Sequence, residues 1–243
     1  MDPARLDREL GPELHWRPVA PPARAPLTGV HVSLLPLDAD AHAASLYAAA
    51  QGDGADPDLW LYLPYGPFAD EAAFTAWVRA NSESTDPLFF AVVPAGGAPA
   101  GQATYMRCEP SIGVIEIGHI WFGAALQRTI AATEAIFLLA RHVFDDLGYR
   151  RLEWKCNARN ERSRRAAERF GFTYEGTFRN ARVDRDRNRD TAWFSIIDSE
   201  WPVLRAAIEQ WLDPLNVDAS GRQIRSLRSI REDLQHAAQN AGA

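Results

Sequence analysis

The sequence predicts an α/β domain with a mixed, mostly antiparallel sheet of seven strands and helices on both faces. Three observations support this prediction. Segments with a hydrophobic period of two residues alternate with segments of helical periodicity. Their order is strand, two helices, three strands, long helix, strand, short helix and two strands. The 243 residues are 47% hydrophobic and 24% charged, which is typical of a globular protein with a substantial core.

We divide the chain into an N-terminal arm (1–28), a central domain (29–213) and a polar extension (214–243). The arm contains the proline-rich stretch PVAPPARAPL, so we expect it to be extended, poor in regular structure, and packed on the domain or on a second subunit. The extension has one periodic apolar set, which predicts a surface or partner helix, or a disordered tail. That set is Ile224, Leu227, Ile230 and Leu234.

In the first half of the domain, hydrophobic periodicity and cap residues predict a strand at 30–36 and helices at 39–50 and 70–81. The turn signals PAGGAP and CEPS then separate three strands of an antiparallel meander. These strands are expected at 88–93, 100–107 and 113–122.

The second half begins with a long amphipathic helix that ends at Gly148. A strand at 151–156 and a short helix at 161–170 follow, and Asn160 is a suitable N-cap for that helix. Two further strands are joined by the polar segment RNARVDRDRNRD, which we interpret as a solvated hairpin end, and a last helix begins at Trp201. These two strands are expected at 172–179 and 191–197.

Composition argues against several classes of protein. A formal net charge of −6 does not favour a nucleic-acid binder, which usually has a basic domain or stripe. No apolar run approaches the length of a membrane span, and the N-terminus lacks the pattern of a signal peptide, so we expect a cytoplasmic protein without a membrane partner. The spacing of Cys108 and Cys156 suggests neither a disulfide framework nor a metal site.

Two segments identify a family. GHIWFGAALQRTIAATEA and CNARNERSRRAAERFGFTYEGTFR resemble the cofactor half of the GNAT acetyltransferases, in their ribosomal-protein N-terminal (Rim-type) branch, and the resemblance spans about 30–201. It implies the acyl-CoA N-acyltransferase fold, with acetyl-CoA as the acetyl donor bound in a notch between the fourth and fifth predicted strands. It also implies direct transfer of acetyl to a primary amine.

The loop before the long helix is the expected site for the diphosphate of coenzyme A. A helix N-terminus offers unpaired N–H groups and a partial positive charge, and small residues let the backbone approach the phosphates. Ile130 occupies a position where the family usually has glycine, which puts the tightness of binding in question. The predicted cofactor-binding residues are Ile120, Trp121, Phe122, Gln127, Arg128, Thr129, Ile130, Ala131, Ala132, Thr133, Asn160 and Ser163.

Glu116 and Ser163 are the predicted catalytic residues. Alternation places the Glu116 carboxylate opposite two isoleucines and towards the acceptor cleft, where it either takes the proton of an ammonium or only binds solvent or an arginine. His119, expected on the opposite face from Glu116, is a secondary candidate for the base. By resemblance, Asn160 contacts the pantetheine arm and Ser163 protonates the leaving thiolate, although the two residues also fit an ordinary helix cap. Cys156 is expected to point inward, and neither cysteine suggests a covalent acyl carrier.

The sequence defines the amine acceptor less well than the acetyl donor. The loops expected to recognise it are 60–68 and 180–190, and both a peptide α-amino group and a small amine or aminoacyl compound remain open. Three acidic residues of the second loop, Asp184, Asp186 and Asp190, are candidates to hold a cationic acceptor. A noncatalytic acyl-CoA-binding or sensing module is the alternative function, an assembly protein is a weaker one, and a homodimer is possible.

Overall fold

A computed structural model of the chain describes residues 3–241. Its centre is a single sheet with the strand order β1-β2-β3-β4-β5-β6-β8-β7. Every neighbouring pair is antiparallel except β5 and β6, which are parallel. The strands are β1 (Leu27–Thr28), β2 (Val32–Pro36), β3 (Leu88–Pro94), β4 (Gly101–Glu109), β5 (Val114–Phe122), β6 (Arg151–Asn157), β7 (Thr173–Asp184) and β8 (Arg187–Ile197).

Seven α-helices are present in the described part of the chain. A π-helical turn, His142–Asp146, continues the fourth helix, and a 3-10 turn, Pro214–Asn216, follows the sixth. No helix within residues 3–241 is long and apolar enough to cross a bilayer. The helices are α1 (Pro3–Leu10), α2 (Ala39–Gln51), α3 (Glu71–Ser82), α4 (Ile130–Arg141), α5 (Glu161–Phe170), α6 (Trp201–Leu212) and α7 (Leu227–Ala241).

The predicted class is confirmed, and the sheet has eight strands where the sequence predicted seven. The additional strand, β1, is a two-residue strand at the end of the N-terminal arm, too short to show alternation. The arm also contains the helix α1, which the proline content did not predict. As expected, the arm follows the domain surface: Trp16 Nε1 donates to the carbonyl of Ser111 at 2.8 Å, and Arg24 donates to the carbonyl of Leu37 at 2.7 Å.

The helices begin where the sequence provides caps. The carboxylates of Asp38 and Asp70 accept hydrogen bonds from the amides of Ala41 and Ala73, which lie in the first turns of α2 and α3. The short helix α5 has the predicted bounds. It ends at Gly171, whose φ of 93° is the left-handed conformation that glycine adopts without steric cost.

The sheet has two unlike faces. We call the face that carries Phe90, Tyr105 and Ile117 the back face. It packs against α4, and Tyr105 Oη donates to the carbonyl of Leu139 in α4 at 2.8 Å. We call the opposite face, which carries Phe89 and Glu116, the front face. Helices α2 and α3 cover its β3 side in a second apolar cluster, and the β6–β8 side bears polar side chains.

The C-terminal residues form the helix that their apolar periodicity predicted. Leu227 and Ile230 of α7 are buried, and Leu234 packs on the same cluster. Arg231 Nη1 also donates to the carbonyl of Glu168 at 3.1 Å, which joins α7 to α5. Ile224, the first member of the predicted set, precedes the helix and is 63% exposed. The tail therefore packs on α6 and α5 through two buried side chains.

The polar segment between β7 and β8 is the mostly exposed end of a hairpin, as interpreted, but the two strands extend farther into it than the predicted 179 and 191. Both strands continue through it, with Arg182 opposite Arg189 and Asp184 opposite Arg187. The turn is confined to Arg185 and Asp186, whose φ values are 48° and 55°. Charged residues in alternation look like a loop in the sequence, but the backbones pair again from Arg182 to the turn, after an irregularity between Phe178 and Arg182.

Glu134 provides a test of how α4 is fixed to the sheet. This buried carboxylate accepts hydrogen bonds from the amides of Val30 at 2.9 Å and His31 at 2.6 Å, in the turn that joins β1 to β2. We expect Glu134→Ala to lower the free energy of unfolding by about 2–3 kcal/mol, because two partly buried donors lose a charged acceptor. Urea unfolding measures this loss. Asp40→Ala, which removes an exposed carboxylate paired with Arg79, is the control and should leave stability unchanged. Equal effects in the two variants would contradict the anchoring role.

Candidate active site

The central feature of the site is a notch where β5 and β6 separate. Their parallel register runs from Val114 opposite Arg151 to Ile117 opposite Trp154 and then stops. Strand β5 continues to Phe122, while β6 continues paired only with β8. One edge of β5 is therefore open beyond Ile117, in the middle of the sheet and at the carboxyl ends of two parallel strands. Ligands commonly bind α/β sheets at such a point.

A β-bulge shapes the open part of β5. Thr104 lies opposite Gly118 and Gln102 lies opposite Trp121, so one residue of β4 faces two residues of β5, His119 and Ile120. His119 has a φ of 48°. Two side chains of β4 bond to the β5 backbone at this point: Thr104 Oγ1 donates to the Gly118 carbonyl at 3.0 Å, and Gln102 Nε2 donates to the His119 carbonyl at 3.2 Å. No local pattern in the sequence indicates this bulge.

The bulge corrects the predicted orientation of His119. Because it inserts one residue, the side chain returns to the front face, on the same side as Glu116 and not opposite to it. The imidazole stacks on Tyr65 with ring centroids 5.5 Å apart and lies 5.6 Å from the ring of Phe89. Simple alternation from Glu116 to His119 fails because it assumes an unbroken pleat.

The hydrogen bonds of His119 indicate its state. Gln102 Nε2 donates to Tyr65 Oη at 3.0 Å, and we assign the Tyr65 hydroxyl as the donor to His119 Nδ1, 3.2 Å away. This assignment leaves the imidazole proton on Nε2. Burial, together with the charges of Arg182 and Arg189, lowers the pKa of His119 to about 4. The ring is therefore neutral near pH 7 and presents a donor, which makes it a poor base in this arrangement.

Glu116 lies on the front face, as predicted, but inside a buried ion cluster that sequence reasoning missed. Its Oε2 is 3.0 Å from Lys155 Nζ and 3.4 Å from Arg107 Nε, and Lys155 also contacts Glu153 Oε2 at 2.6 Å. The Lys155 ammonium lies 3.7 Å from the centroid of the Trp193 ring. The only lysine of the chain thus joins two carboxylates and an indole.

The cluster affects the proton affinity of Glu116. Burial raises the pKa of this carboxyl, whereas Lys155 and Arg107 oppose the increase and Glu153 adds to it. The net effect is a raised pKa of Glu116. A glutamate with a raised pKa is a better proton acceptor than an ordinary surface glutamate once it is ionised.

The loop after β5 leads directly into α4, so the N-terminus of α4 lies at the open end of the notch. Thr129 caps the helix, accepting from the Ala132 amide at 3.1 Å. Ile130 and Ala131 occupy the first two helical positions, where amides have no acceptor within the helix. The positive φ in this loop, 63°, belongs to Arg128, so Ile130 needs no glycine-like conformation and packs on the core.

Two other predicted phosphate ligands already have partners within the protein. Gln127 Nε2 donates to the carbonyl of Phe122 at 2.9 Å, and Thr133 Oγ1 accepts from Arg169 Nη2 at 3.1 Å. Arg128 is exposed on the loop. The structure therefore brings the predicted residues together around one helix start, and Ile130 and Ala131 are the positions whose amides are most available.

The helix α5 starts at the other side of the notch, directly after β6. Asn160 Oδ1 accepts from the Ser163 amide at 3.0 Å, so the predicted cap is present. Ser163 Oγ accepts a hydrogen bond from Trp154 Nε1 at 2.9 Å. Trp154 is the last β6 residue paired with β5, which places the serine hydroxyl beside the point where the strands separate. Ser163 is the acceptor in this bond, so its O–H group is available to donate to another atom.

A lid covers the notch from the front. The loop between α2 and α3 is tied to the start of α5, because Tyr62 Oη donates to the Arg159 carbonyl at 3.1 Å and Asp56 pairs with Arg162 at 2.6 Å. The tip of the β7–β8 hairpin closes on the same loop. Arg185 Nη2 donates to three of its carbonyl oxygens, at 3.0, 3.2 and 3.3 Å. These belong to Trp60, Leu63 and Gly66.

This geometry fits coenzyme A. The open edge of β5 offers backbone groups to an extended amide-containing chain, and the start of α4 offers two amides and a partial positive charge to a diphosphate. A serine hydroxyl and a buried carboxylate lie on either side of the same notch. Fold and site together define an acyltransferase that uses an acyl-CoA donor.

Comparison with known proteins agrees with this class. The model of the acetyltransferase (GNAT) domain family matches residues 31–173. A GCN5-related N-acetyltransferase from Brucella melitensis is 47% identical, with a TM-score of 0.86 over 90% of this chain and 99% of its own. A probable acetyltransferase of the GNAT family from Chromobacterium violaceum is 44% identical, with a TM-score of 0.72 over 78% of this chain and 94% of its own. The chain belongs to the GNAT acetyltransferase family, and it is an N-acetyltransferase.

Solved structures of lower sequence identity support the fold alone. RimL, a ribosomal L7/L12 α-N-protein acetyltransferase, is 20% identical, with a TM-score of 0.60 over 71% of this chain and 93% of its own. Among curated proteins, none matches the chain.

The two thiols provide a test that is independent of the amine. Burial raises the pKa of Cys108 to about 12 and also raises the pKa of Cys156, which is buried as predicted. Because the thiolate is the reactive form, we expect neither thiol of the native protein to react with a disulfide reagent at pH 7.5. Both should react in denaturant.

The double variant Cys108→Ala, Cys156→Ala is the functional control and should retain acetyl transfer, provided that circular dichroism shows an unchanged fold. An acetylated thiol found by mass spectrometry after incubation with acetyl-CoA would contradict this account.

Proposed function

We propose that the protein transfers acetyl directly from acetyl-CoA to a primary amine within one ternary complex. The observation that carries this proposal is the notch between β5 and β6, with the N-termini of α4 and α5 at its open end and Glu116 on its front side. Acetyl-CoA would supply the thioester carbonyl carbon that the amine attacks.

The donor would lie along the open edge of β5. The amides of Ile130 and Ala131 would bind the diphosphate, with Arg128 adding a side-chain donor. Backbone groups from the bulge to Trp121 would bind the pantetheine arm and the thioester oxygen. Donors aimed at an oxygen that gains charge are each commonly worth about 2.7–4 kcal/mol in the barrier. Asn160 would fix the start of α5 beside the thiol.

The chemical step needs two proton movements. Glu116 would accept a proton from the ammonium, directly or through water, to give the neutral amine that attacks. As the new N–C bond forms and the C–S bond breaks, the electron pair passes to sulfur. Ser163, oriented by Trp154, would then donate its proton to the thiolate and recover it from the amide nitrogen through solvent. Charge and atoms balance without an enzyme-bound acyl group.

The acceptor class follows from two different considerations. The Rim-type sequence resemblance, together with the fold likeness to RimL, favours a peptide α-amino group. The polar front face, enclosed by the lid, favours a small amine or aminoacyl compound, because Arg185 holds the hairpin down on the loop at Trp60. We favour the small acceptor for this reason.

A panel of amines in a thiol-release assay, combined with calorimetric titration of coenzyme A, tests the whole proposal. Turnover of at least one primary amine and binding of coenzyme A are expected. Binding without turnover would instead favour the noncatalytic sensing module, and the absence of binding would overturn both functions.

The helix start provides a specific test of donor binding. Ala131→Asp places a negative charge at the second position of α4, where it suits the helix dipole but repels a diphosphate. We expect acetyl-CoA to bind at least about tenfold more weakly, which corresponds to about 1.4 kcal/mol, without loss of stability. Ala72→Asp, at the same position of α3, is the matched control and should leave the affinity unchanged. Equal affinities of both variants for acetyl-CoA would place the diphosphate elsewhere.

The pH dependence of turnover tests the base. Because burial raises the pKa of Glu116, kcat/KM should fall with decreasing pH on a limb that lies above the usual glutamate value. Glu116→Gln should lower kcat by about 10²-fold and abolish this limb. Glu153→Gln is the control from the same cluster. It should keep most of the rate and move the limb to lower pH, since a like charge that raises the Glu116 pKa is removed.

His119→Asn completes this comparison. If the limb disappears in this variant and persists in Glu116→Gln, the base is His119.

A further inference from the structure

The front face contains a group of buried polar atoms without partners. Among residues 3–241, seven buried side-chain atoms make no hydrogen bond, and six of them belong to residues of the front face. One of the six, Glu116 Oε2, has its ion pair with Lys155, so five are without any partner. Register places them on this face: Gln102 lies opposite Trp121, Trp193 opposite Lys155 and Thr191 opposite Asn157. The five atoms are Gln102 Oε1, Trp121 Nε1, Arg189 Nε, Thr191 Oγ1 and Trp193 Nε1. A buried polar atom without a partner is costly, so a cluster of such atoms indicates a ligand.

These atoms divide by chemistry. On the β4–β5 side, the Gln102 oxygen and the ion-paired Glu116 carboxylate offer acceptors, and Trp121 offers one N–H donor. On β8, three alternate residues, Arg189, Thr191 and Trp193, each offer an N–H or O–H donor. An ammonium suits the first set, and an anion suits the second.

Arg189 is one of two arginines opposite each other on the hairpin. Its register partner is Arg182, and two like charges in that arrangement repel. Neither guanidinium forms an ion pair with a carboxylate in the described part of the chain, although Asp184 lies near enough to favour the charge of Arg189. Burial lowers the pKa of Arg189, and the neighbouring Arg182 lowers it further. Folding therefore holds a half-buried cation next to a like charge.

The pair also acts across the cleft. Arg182 and Arg189 both lower the pKa of His119, next to the notch, and Glu116 stabilises the charge of Arg189. The two arginines thus lie within electrostatic reach of the residues around the acetyl group. Guanidinium groups bind carboxylate and phosphate oxygens through paired hydrogen bonds, which suits such a role.

We propose that the acceptor carries an anionic group, a carboxylate or a phosphate, close to its primary amine, and that Arg189 and Arg182 bind this group while the amine faces Glu116. This inference rests on the proposed function. It names the acceptor as a small zwitterion and assigns its specificity to β8. The predicted role of Asp184, Asp186 and Asp190 as holders of a cationic acceptor is replaced, since Asp190 is bonded to the Asn180 amide at 2.8 Å and to Asn188.

Matched pairs of amines test the proposal on the full chain. One arm compares amino acids with their primary amides, and a second compares aminoalkyl phosphates with the parent amino alcohols. In the wild type, the anionic member of at least one class should have a kcat/KM at least tenfold higher than its neutral partner. The arm in which this preference is larger identifies the anion as a carboxylate or a phosphate.

Arg189→Gln should remove the preference by raising KM for the anionic amines at least tenfold more than KM for their neutral partners. A merely structural arginine would lower both rates together. Arg189→Lys should retain part of the preference, and Arg182→Gln should show a smaller loss because this arginine is exposed. Arg179→Gln removes the same charge from an exposed position of β7 and is the control.

The failures of the two proposals are distinguishable. Wild-type enzyme that binds acetyl-CoA and acetylates neutral amines as well as anionic ones, or only neutral ones, overturns this inference and leaves the proposed function intact. A preference that persists in Arg189→Gln also overturns it. Absence of both acetyl-CoA binding and turnover overturns the proposed function, and this inference with it. Tryptophan fluorescence, titrated with each amine in the presence of coenzyme A, gives a binding measurement independent of turnover.

Discussion

The end of the parallel pairing between β5 and β6 at Ile117 is the constraint on which the rest of the site depends. Backbone N–H and C=O groups in the interior of a protein almost always have partners. A central strand that loses its neighbour must find them in a ligand, in solvent or in another strand. The bulge at His119 adds to this opening, because it interrupts the ladder with β4 at the same level. Both sides of β5 are thus irregular where an acyl donor would lie.

Chain connectivity places two helix N-termini at one end of this opening. Because α4 follows β5 and α5 follows β6, the two helices begin at the same end of the two parallel strands. Both N-termini bring unpaired amides and partial positive charge to the open end. Thr129 and Asn160 cap the two helices without taking every amide. The separation of two strands therefore also explains why Ser163, the acid in our proposal, lies beside the notch.

The two sides of the front face carry different charges, and the net charge of the chain does not reveal this difference. The chain carries −6, yet the β8 side of the cleft is lined by arginine, and the β5 side by a glutamate held between cations. Net charge describes solubility and encounter, whereas the sign of a site is set by a few groups in a low-dielectric cleft. Arg185 closes the hairpin on the α2–α3 loop, and the Lys155 cluster itself is buried.

The sequence by itself determined the order of elements, most of their bounds and the residues at both helix starts. Helical and strand periodicities are local, as are caps such as Asp70 and Asn160, and the motif around Gln127 to Thr133 carries the family resemblance. The face on which His119 lies depends on a bulge that involves β4 and β5, which are paired only in the folded state. The partners of Glu116 come from the two neighbouring strands, β4 and β6, so no local pattern joins it to Lys155 and Arg107. The pairing of Arg182 with Arg189 needed the hairpin to continue through a segment whose charge suggested a loop. Tertiary structure decided these features because register, bulges and buried ion pairs arise from contacts between strands that are distant along the chain.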